Sequence, residues 1–210
     1  MLRVIIGAAA AAVAMFVIGF IFFGLGLQTL AIKTVGDLQA APIQQALRAN
    51  IADTGTYAVP GDRTPEQTRM YGTGPVATIH YNVNGQVAGM NAGTLLKGLV
   101  FNFAIALAIG LALIGIDGRV QDFRSRARVA AIIGVAAAAF THLGVPLYYP
   151  HGLGYYFYLF LADGIALAVG GVIVAWFLKA PKEPAAVGEV SGERPAGEVS
   201  PSDPGGGRDP

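Results

Sequence analysis

The residues of this chain best placed to do chemistry are three polar side chains set inside apolar stretches: Asn102, His142 and Asp163. Asp163 interrupts YYFYLFLADGIALAVGG, residues 155–171, near its middle. A carboxylate and an imidazole in such surroundings share or exchange a proton, and an amide supplies both a donor and an acceptor. An ionised carboxylate alone in hydrocarbon is costly, so Asp163 is expected to face neighbouring helices, paired with His142 or hydrogen-bonded in its neutral form. The series Gly98, Asn102, Ala106, Gly110 and the series Ala130, Gly134, Ala138, His142 each drift only about 40° per step on a helix of 3.6 residues per turn. Asp163, Ala166 and Gly170 follow one face less regularly. Small residues let helix backbones approach, so each polar residue sits on a packing stripe. Counting 1.5 Å per residue from the expected helix ends puts Asn102 roughly 12 Å, His142 roughly 8 Å and Asp163 roughly 15 Å below one membrane surface. One intramembrane polar cluster is expected, with Lys97 and Gln28 as further candidates. Three roles are open to it: a clamp fixing helix register, a proton or ion relay between Asp163 and His142, or a contact with a partner or ligand.

Other chemistry finds less in the sequence. His80, His142 and His151 show no His-x-x-x-His or Glu-x-x-His spacing, so a metal site would have to be assembled from distant segments, and no metal or other cofactor is expected. The absence of cysteine excludes disulfides, thiolate metal sites and a cysteine nucleophile. Neither a Gly-x-Ser-x-Gly elbow nor a Gly-x-x-x-x-Gly-Lys phosphate loop occurs among the 29 glycines. No catalytic residue is assigned. A net charge of +1 provides no field for nucleic acid.

The elements that must position the cluster are membrane helices. The chain is 54% hydrophobic and 13% charged, with a mean hydropathy of +0.55. A bilayer core of about 30 Å needs roughly 20 helical residues, and Val4–Leu27, Thr94–Ile116, Val129–Leu147 and Leu153–Leu178 all reach that length. The expected fold is therefore an all-α membrane protein with four transmembrane helices. The first stretch follows a basic start and also reads as a secretory signal. Its apolar run exceeds the roughly 7–15 residues of a signal core and ends in no small-x-small site, so a retained helix is expected.

The segment DGRVQDFRSRAR gathers Arg119, Arg124, Arg126 and Arg128 into what reads as one short loop. By the positive-inside rule that loop is cytoplasmic and faces lipid head groups, and Arg3, Lys179 and Lys182 put both termini on the same side. The expected location is a bacterial inner membrane, crossed several times. Tyr148, Tyr149, Tyr155, Tyr156 and Tyr158 then mark the outer interface and Trp176 the inner one.

Residues 1–30 are read as the first span, 31–93 as an extracytoplasmic cap, 94–179 as the other three spans and 180–210 as a disordered cytoplasmic tail. The cap has too few large apolar residues to fold alone and is expected to pack on the bundle. Within it Pro42 is suited to a first helical turn, followed by Ile43, Leu47 and Ile51 on one face. Thr64-Pro65-Glu66-Gln67 has the capping-box pattern and should open a short helix. PVATIHYNV alternates like a strand before the Asn84-Gly85 turn, with TYAVPG as its partner. The tail is Pro, Gly, Glu and Ser with little to bury.

The order TGTYAVPG, then GPVATIHYN, then three further spans resembles a loose group of uncharacterised bacterial four-span integral membrane proteins, over residues 1–178. That resemblance implies an architecture and carries no activity. The layout is also similar to that of claudin-like proteins, but their tryptophan-glycine-leucine-tryptophan motif and loop cysteine pair are missing. The expected role is non-enzymatic: a small scaffold or accessory subunit contacting membrane lipid, another membrane protein or a second copy of itself. A proton-coupled transporter using Asp163 and His142 is the rival, and a lipid-modifying enzyme at the outer interface is a third reading.

Overall fold

The computed structural model describes residues 1–85, 91–149 and 152–178, so His151, Lys179, Lys182 and the 180–210 tail lie outside the described residues. Four helices are long and apolar enough to cross a membrane. The first, α1 (Leu2–Gly19), continues into a π-helical segment (Phe20–Gly24), and a 3-10 turn (Leu27–Leu30) ends it. The others are α4 (Ala92–Gly115), α5 (Phe123–Leu143) with the short α6 (Val145–Tyr148) after it, and α7 (Leu153–Phe177). Side-chain caps open two of them. Asn91 Oδ1 accepts from Gly93 N at 2.7 Å and Asp122 Oδ1 accepts from Ser125 N at 2.8 Å, each satisfying a backbone donor that a helix start leaves free.

Close approaches fix the helices as antiparallel neighbours. Gly7 meets Phe177, Gly170 meets Met15, Gly110 meets Val4 and Val174, and Gly134 and Gly171 meet Leu167 and Ala130. Thus α5 packs along α7, α7 along α1 and α1 along α4, whereas α4 and α5 barely touch although a short turn joins them. The stripe Ala130, Gly134, Ala138 is buried against α7. On the four spanning helices, every buried residue other than Arg126 is Ala, Gly, Val, Leu or Met. Most of them lie toward the α4–α5 turn, with Ala138, Ala162 and Gly164 reaching the level of His142 and Asp163, and from residue 16 to residue 105 no described residue is buried. The bundle is tight at this clamp end and loose toward the cap.

The cap holds α2 (Asp37–Asn50), β1 (Gly55–Val59), α3 (Pro65–Thr73) and β2 (Ala77–Tyr81). The two strands pair antiparallel, with Thr56 opposite His80 and Tyr57 opposite Ile79. Thr56 Oγ1 and His80 Nδ1 lie 3.1 Å apart across the pair. Thr64 Oγ1 accepts from Gln67 N at 3.2 Å, so the capping pattern does open α3. Gly85 has φ +69°, and Asn82 bridges that turn from both sides of its amide. Two expectations are corrected. Pro42 lies inside α2, which starts five residues earlier on the Gly36 N-cap with Asp37 in its first turn. A proline there leaves the carbonyl four residues back without its helical donor, which an exposed helix can offset with water. Nor does the cap pack firmly, since none of its described residues is buried and α2 makes no extended contact with the bundle.

Candidate functional site

At the level where close packing stops, His142 near the end of α5 meets Asp163 in the third turn of α7. His142 Nε2 and Asp163 Oδ2 are 2.6 Å apart. The His142 side chain is 15% exposed and that of Asp163 is 48% exposed, so the imidazole is wedged between helices while the carboxylate looks into open space. That space is a cavity of about 370 Å³ lined from all four spanning helices, with Asn102 on α4 facing it beside Met15, Phe23, Phe101 and Ile105. The exposed lining residues are Phe23 beyond α1, Phe101 on α4 and Ala137 and Thr141 on α5, so the cavity is not enclosed, and α4 and α5 make little contact beside it. Asn102, His142 and Asp163 therefore share one cavity. Lys97 is exposed and Gln28 sits in the 3-10 turn, where its carbonyl accepts from Ala31 and Ile32; neither lines the cavity.

The cavity's chemistry follows from its lining. No lysine or arginine is among the lining residues, and Asp163 Oδ2 is the only oxygen of that carboxylate with a hydrogen-bond partner among the described residues. With the carboxylate ionised, the His142 Nε2–H donates to it and the second oxygen can still accept. Such a site suits a group that donates hydrogen bonds, a hydroxyl or an amine, and offers a phosphate or carboxylate no lysine or arginine. Among the described residues no three metal-ligating side chains come together.

A second polar centre sits at the opposite end, and the sequence reading missed it. The arginines do not share a loop: α5 begins at Phe123, so only Arg119 lies in the turn, while Arg124, Arg126 and Arg128 belong to the first turns of the helix. Arg119, Arg124 and Arg128 are exposed; Arg126 is 4% exposed and does not face lipid. Its Nε donates to the Val120 carbonyl at 2.7 Å, Nη1 to the Leu178 carbonyl at 2.5 Å and Nη2 to the Asp117 carboxylate. The planar guanidinium thus ties the α4–α5 turn and the α7 end to α5, and it places a cation at the Leu178 carbonyl, where α7 ends. The available signal was the stripe itself. Extending Ala130, Gly134, Ala138 back by four residues lands on Arg126.

Near the cap, the Tyr158 hydroxyl donates to the Phe22 carbonyl in the π-helical segment, and the Tyr158 ring meets Phe22 and Phe23 edge-on at 5.6 and 5.9 Å. This contact fixes Phe23 beside the cavity. Compared with protein-family models, curated proteins and solved structures, the chain matches none of them.

Proposed function

We propose that the protein spans a bilayer four times and, without catalysing a reaction, binds a membrane-dissolved amphipath whose hydrogen-bond-donating head sits at Asp163 and His142. One observation carries this reading: the 2.6 Å pair lines a cavity whose exposed lining residues, Phe23, Phe101, Ala137 and Thr141, leave it open instead of enclosed. A polar clamp alone would gain from enclosure, because its hydrogen bond is stronger away from competing donors. Asn102 supplies a further donor and acceptor for the head, and Met15, Phe101, Ile105 and Leu167 supply apolar surface.

The arginines support an orientation. Arg3, Arg119, Arg124 and Arg128 gather at the end where α1 starts and α7 finishes, which argues for a cytoplasmic clamp end and an extracytoplasmic cap in a bacterial inner membrane. Those exposed arginines are suited to anionic lipid head groups. A proton path across the whole membrane finds less support. Toward the clamp end the buried residues are apolar until Arg126, so any proton exchange at Asp163 would reach one side only.

Service as an accessory subunit is a second reading, favoured by the cap. Leu38 and Ile43 of α2 are 88% and 48% exposed. Small-residue helix faces do not support it, since Gly110, Gly134, Gly170 and Gly171 are filled by neighbours in the same chain. Extraction of the protein from its own membrane, followed by mass spectrometry of what stays bound, tests the binding reading. Wild type should retain one amphipath with a hydroxyl or amine head, and Asp163→Leu should lose it. Equal recovery of bulk lipid from both proteins would refute the proposal, and a retained protein partner would favour the accessory role.

A further inference from the structure

We infer that the hydrocarbon chain of that amphipath runs along the groove between α1 and α4, over Gly19 and Gly98. This rests on the binding reading above and adds the path of the chain. The groove has a volume of about 420 Å³ and is lined by Phe16, Phe20, Phe23, Leu95 and the two glycines, with Thr94 and Gly24 toward the cap. It adjoins the Asp163 cavity, sharing Gly19, Phe23 and Asn102 with it. Each space falls within the range of roughly 300–1,000 Å³ usual for ligand pockets. Two other apolar grooves, between α5 and α7 and farther down α1 and α4, share no residue with the cavity.

The glycines distinguish this groove from a packing seam. At Gly7, Gly110, Gly134, Gly170 and Gly171 an added Cβ would come within 2.6–2.9 Å of a neighbouring side chain, so intrachain packing demands the small residue. At Gly19 nothing lies within 4 Å, and at Gly98 only the rim of Phe16 does, at 4.0 Å. Glycine inside a helix is less stable than alanine, and at Gly98, within α4, no close contact in the chain accounts for it, whereas Gly19, like the equally open Gly115 and Gly154, lies at a helix end. What the two glycines do is leave a trough on facing helices. Its wall is built: the Phe20–Gly24 segment is π-helical, and Tyr158 holds it through the Phe22 carbonyl and the Phe22 and Phe23 rings. Asn102 stands at the junction, where apolar lining gives way to the polar pair. An apolar trough that ends at hydrogen-bonding groups matches a chain with a polar head, and the surrounding bilayer presents such chains.

The test is photo-crosslinking with a hexadecanol analogue carrying a diazirine in mid-chain, on the full-length protein in nanodiscs, with adducts mapped by mass spectrometry. Adducts should concentrate on residues 16–24 and 94–102. Gly98→Leu, whose Cβ has no neighbour nearer than the Phe16 ring at 4.0 Å, should fill the trough and reduce them by about tenfold or more while the protein stays folded; Gly19→Leu does the same from the opposite wall. If adducts spread over every apolar helix face and neither variant changes them, the inference is overturned. Chain-to-chain crosslinks across Gly19 and Gly98 would overturn it in favour of a second copy as occupant. Should labelling depend on Asp163 but map to Ala137 and Thr141, the chain path fails while the binding site stands. Loss of all Asp163 dependence would remove the site as well.

Discussion

Arg126 and His142 occupy opposite ends of one face of α5, with Ala130, Gly134 and Ala138 between them, and each reaches a carboxylate. At the clamp end Arg126 is enclosed, donates to three acceptors and sits over helices in direct backbone contact. At the cap end His142 donates or accepts once, its carboxylate partner is half exposed, and a cavity begins. Composition does not separate the two, since both lie on the same small-residue stripe. What separates them is the geometry of α4 relative to α5: the turn and Arg126 hold the two helices together at one end, and nothing comparable closes the seam at the other. Exposure of the carboxylate does not separate them either, since Asp117 is 59% exposed; a polar residue in an apolar bundle is structural where its own side chain is enclosed and bound to several segments, and suited to a ligand where it lines a cavity and leaves an acceptor over.

The sharpest way to break that contrast is to overfill the clamp end. Gly134→Leu drives a side chain against Leu167 and the Leu167–Ala168 backbone, which stand 2.9–3.2 Å from an added Cβ. Backbone cannot swing aside, so a loss of at least about 3 kcal/mol is expected, read as failure to recover folded protein in detergent. Arg126→Ala should follow with about 3 kcal/mol in reversible unfolding, and Arg126→Lys should rescue little, because an ammonium cannot match three acceptors set around a planar fork.

Much of the fold was legible because its signals are local and repetitive. Spans follow from length and hydropathy, the strand pair from alternation around Thr78 and His80, the α3 start from Thr64. The His142–Asp163 meeting was legible because two polar residues lay on stripes that had to face each other. Arg126 was not, because a basic run beside a span is ordinarily a topology marker, and one arginine turned inward leaves the composition unchanged. Pro42 misled through its usual preference for a first turn, overridden by the Gly36–Asp37 start. The parting of α4 from α5, which makes the cavity, is a relation between helices distant in packing and has no local signal.

Smaller effects sharpen the comparison. Asp163→Asn should change unfolding by about 1 kcal/mol or less, since the carboxylate is half exposed and an amide still hydrogen-bonds His142, yet it should release the bound amphipath. Gly98→Ala should stabilise by about 0.5–1 kcal/mol, the opposite sign to Gly134→Ala at a superficially similar stripe position. The least effect belongs to the Asp122 cap. The Ser125 amide holds its carboxyl below the usual carboxylate range, so its contribution is present above the unfolded value near about pH 4 and disappears as pH falls through the folded one. Asp122→Ala should lose that acid dependence in unfolding scans and little else.

The central claim, that the Asp163 cavity holds a donating head group, is tested most directly by thermal unfolding of delipidated protein with hexadecanol, hexadecylamine or palmitate at neutral pH. The alcohol or the amine should raise the midpoint, by about 2.7 kcal/mol in stability at a hundredfold excess over Kd, and palmitate should not; Asp163→Leu should abolish the difference. Stabilisation by palmitate equal to that by the alcohol and the amine, or an unchanged preference in Asp163→Leu, would contradict the account.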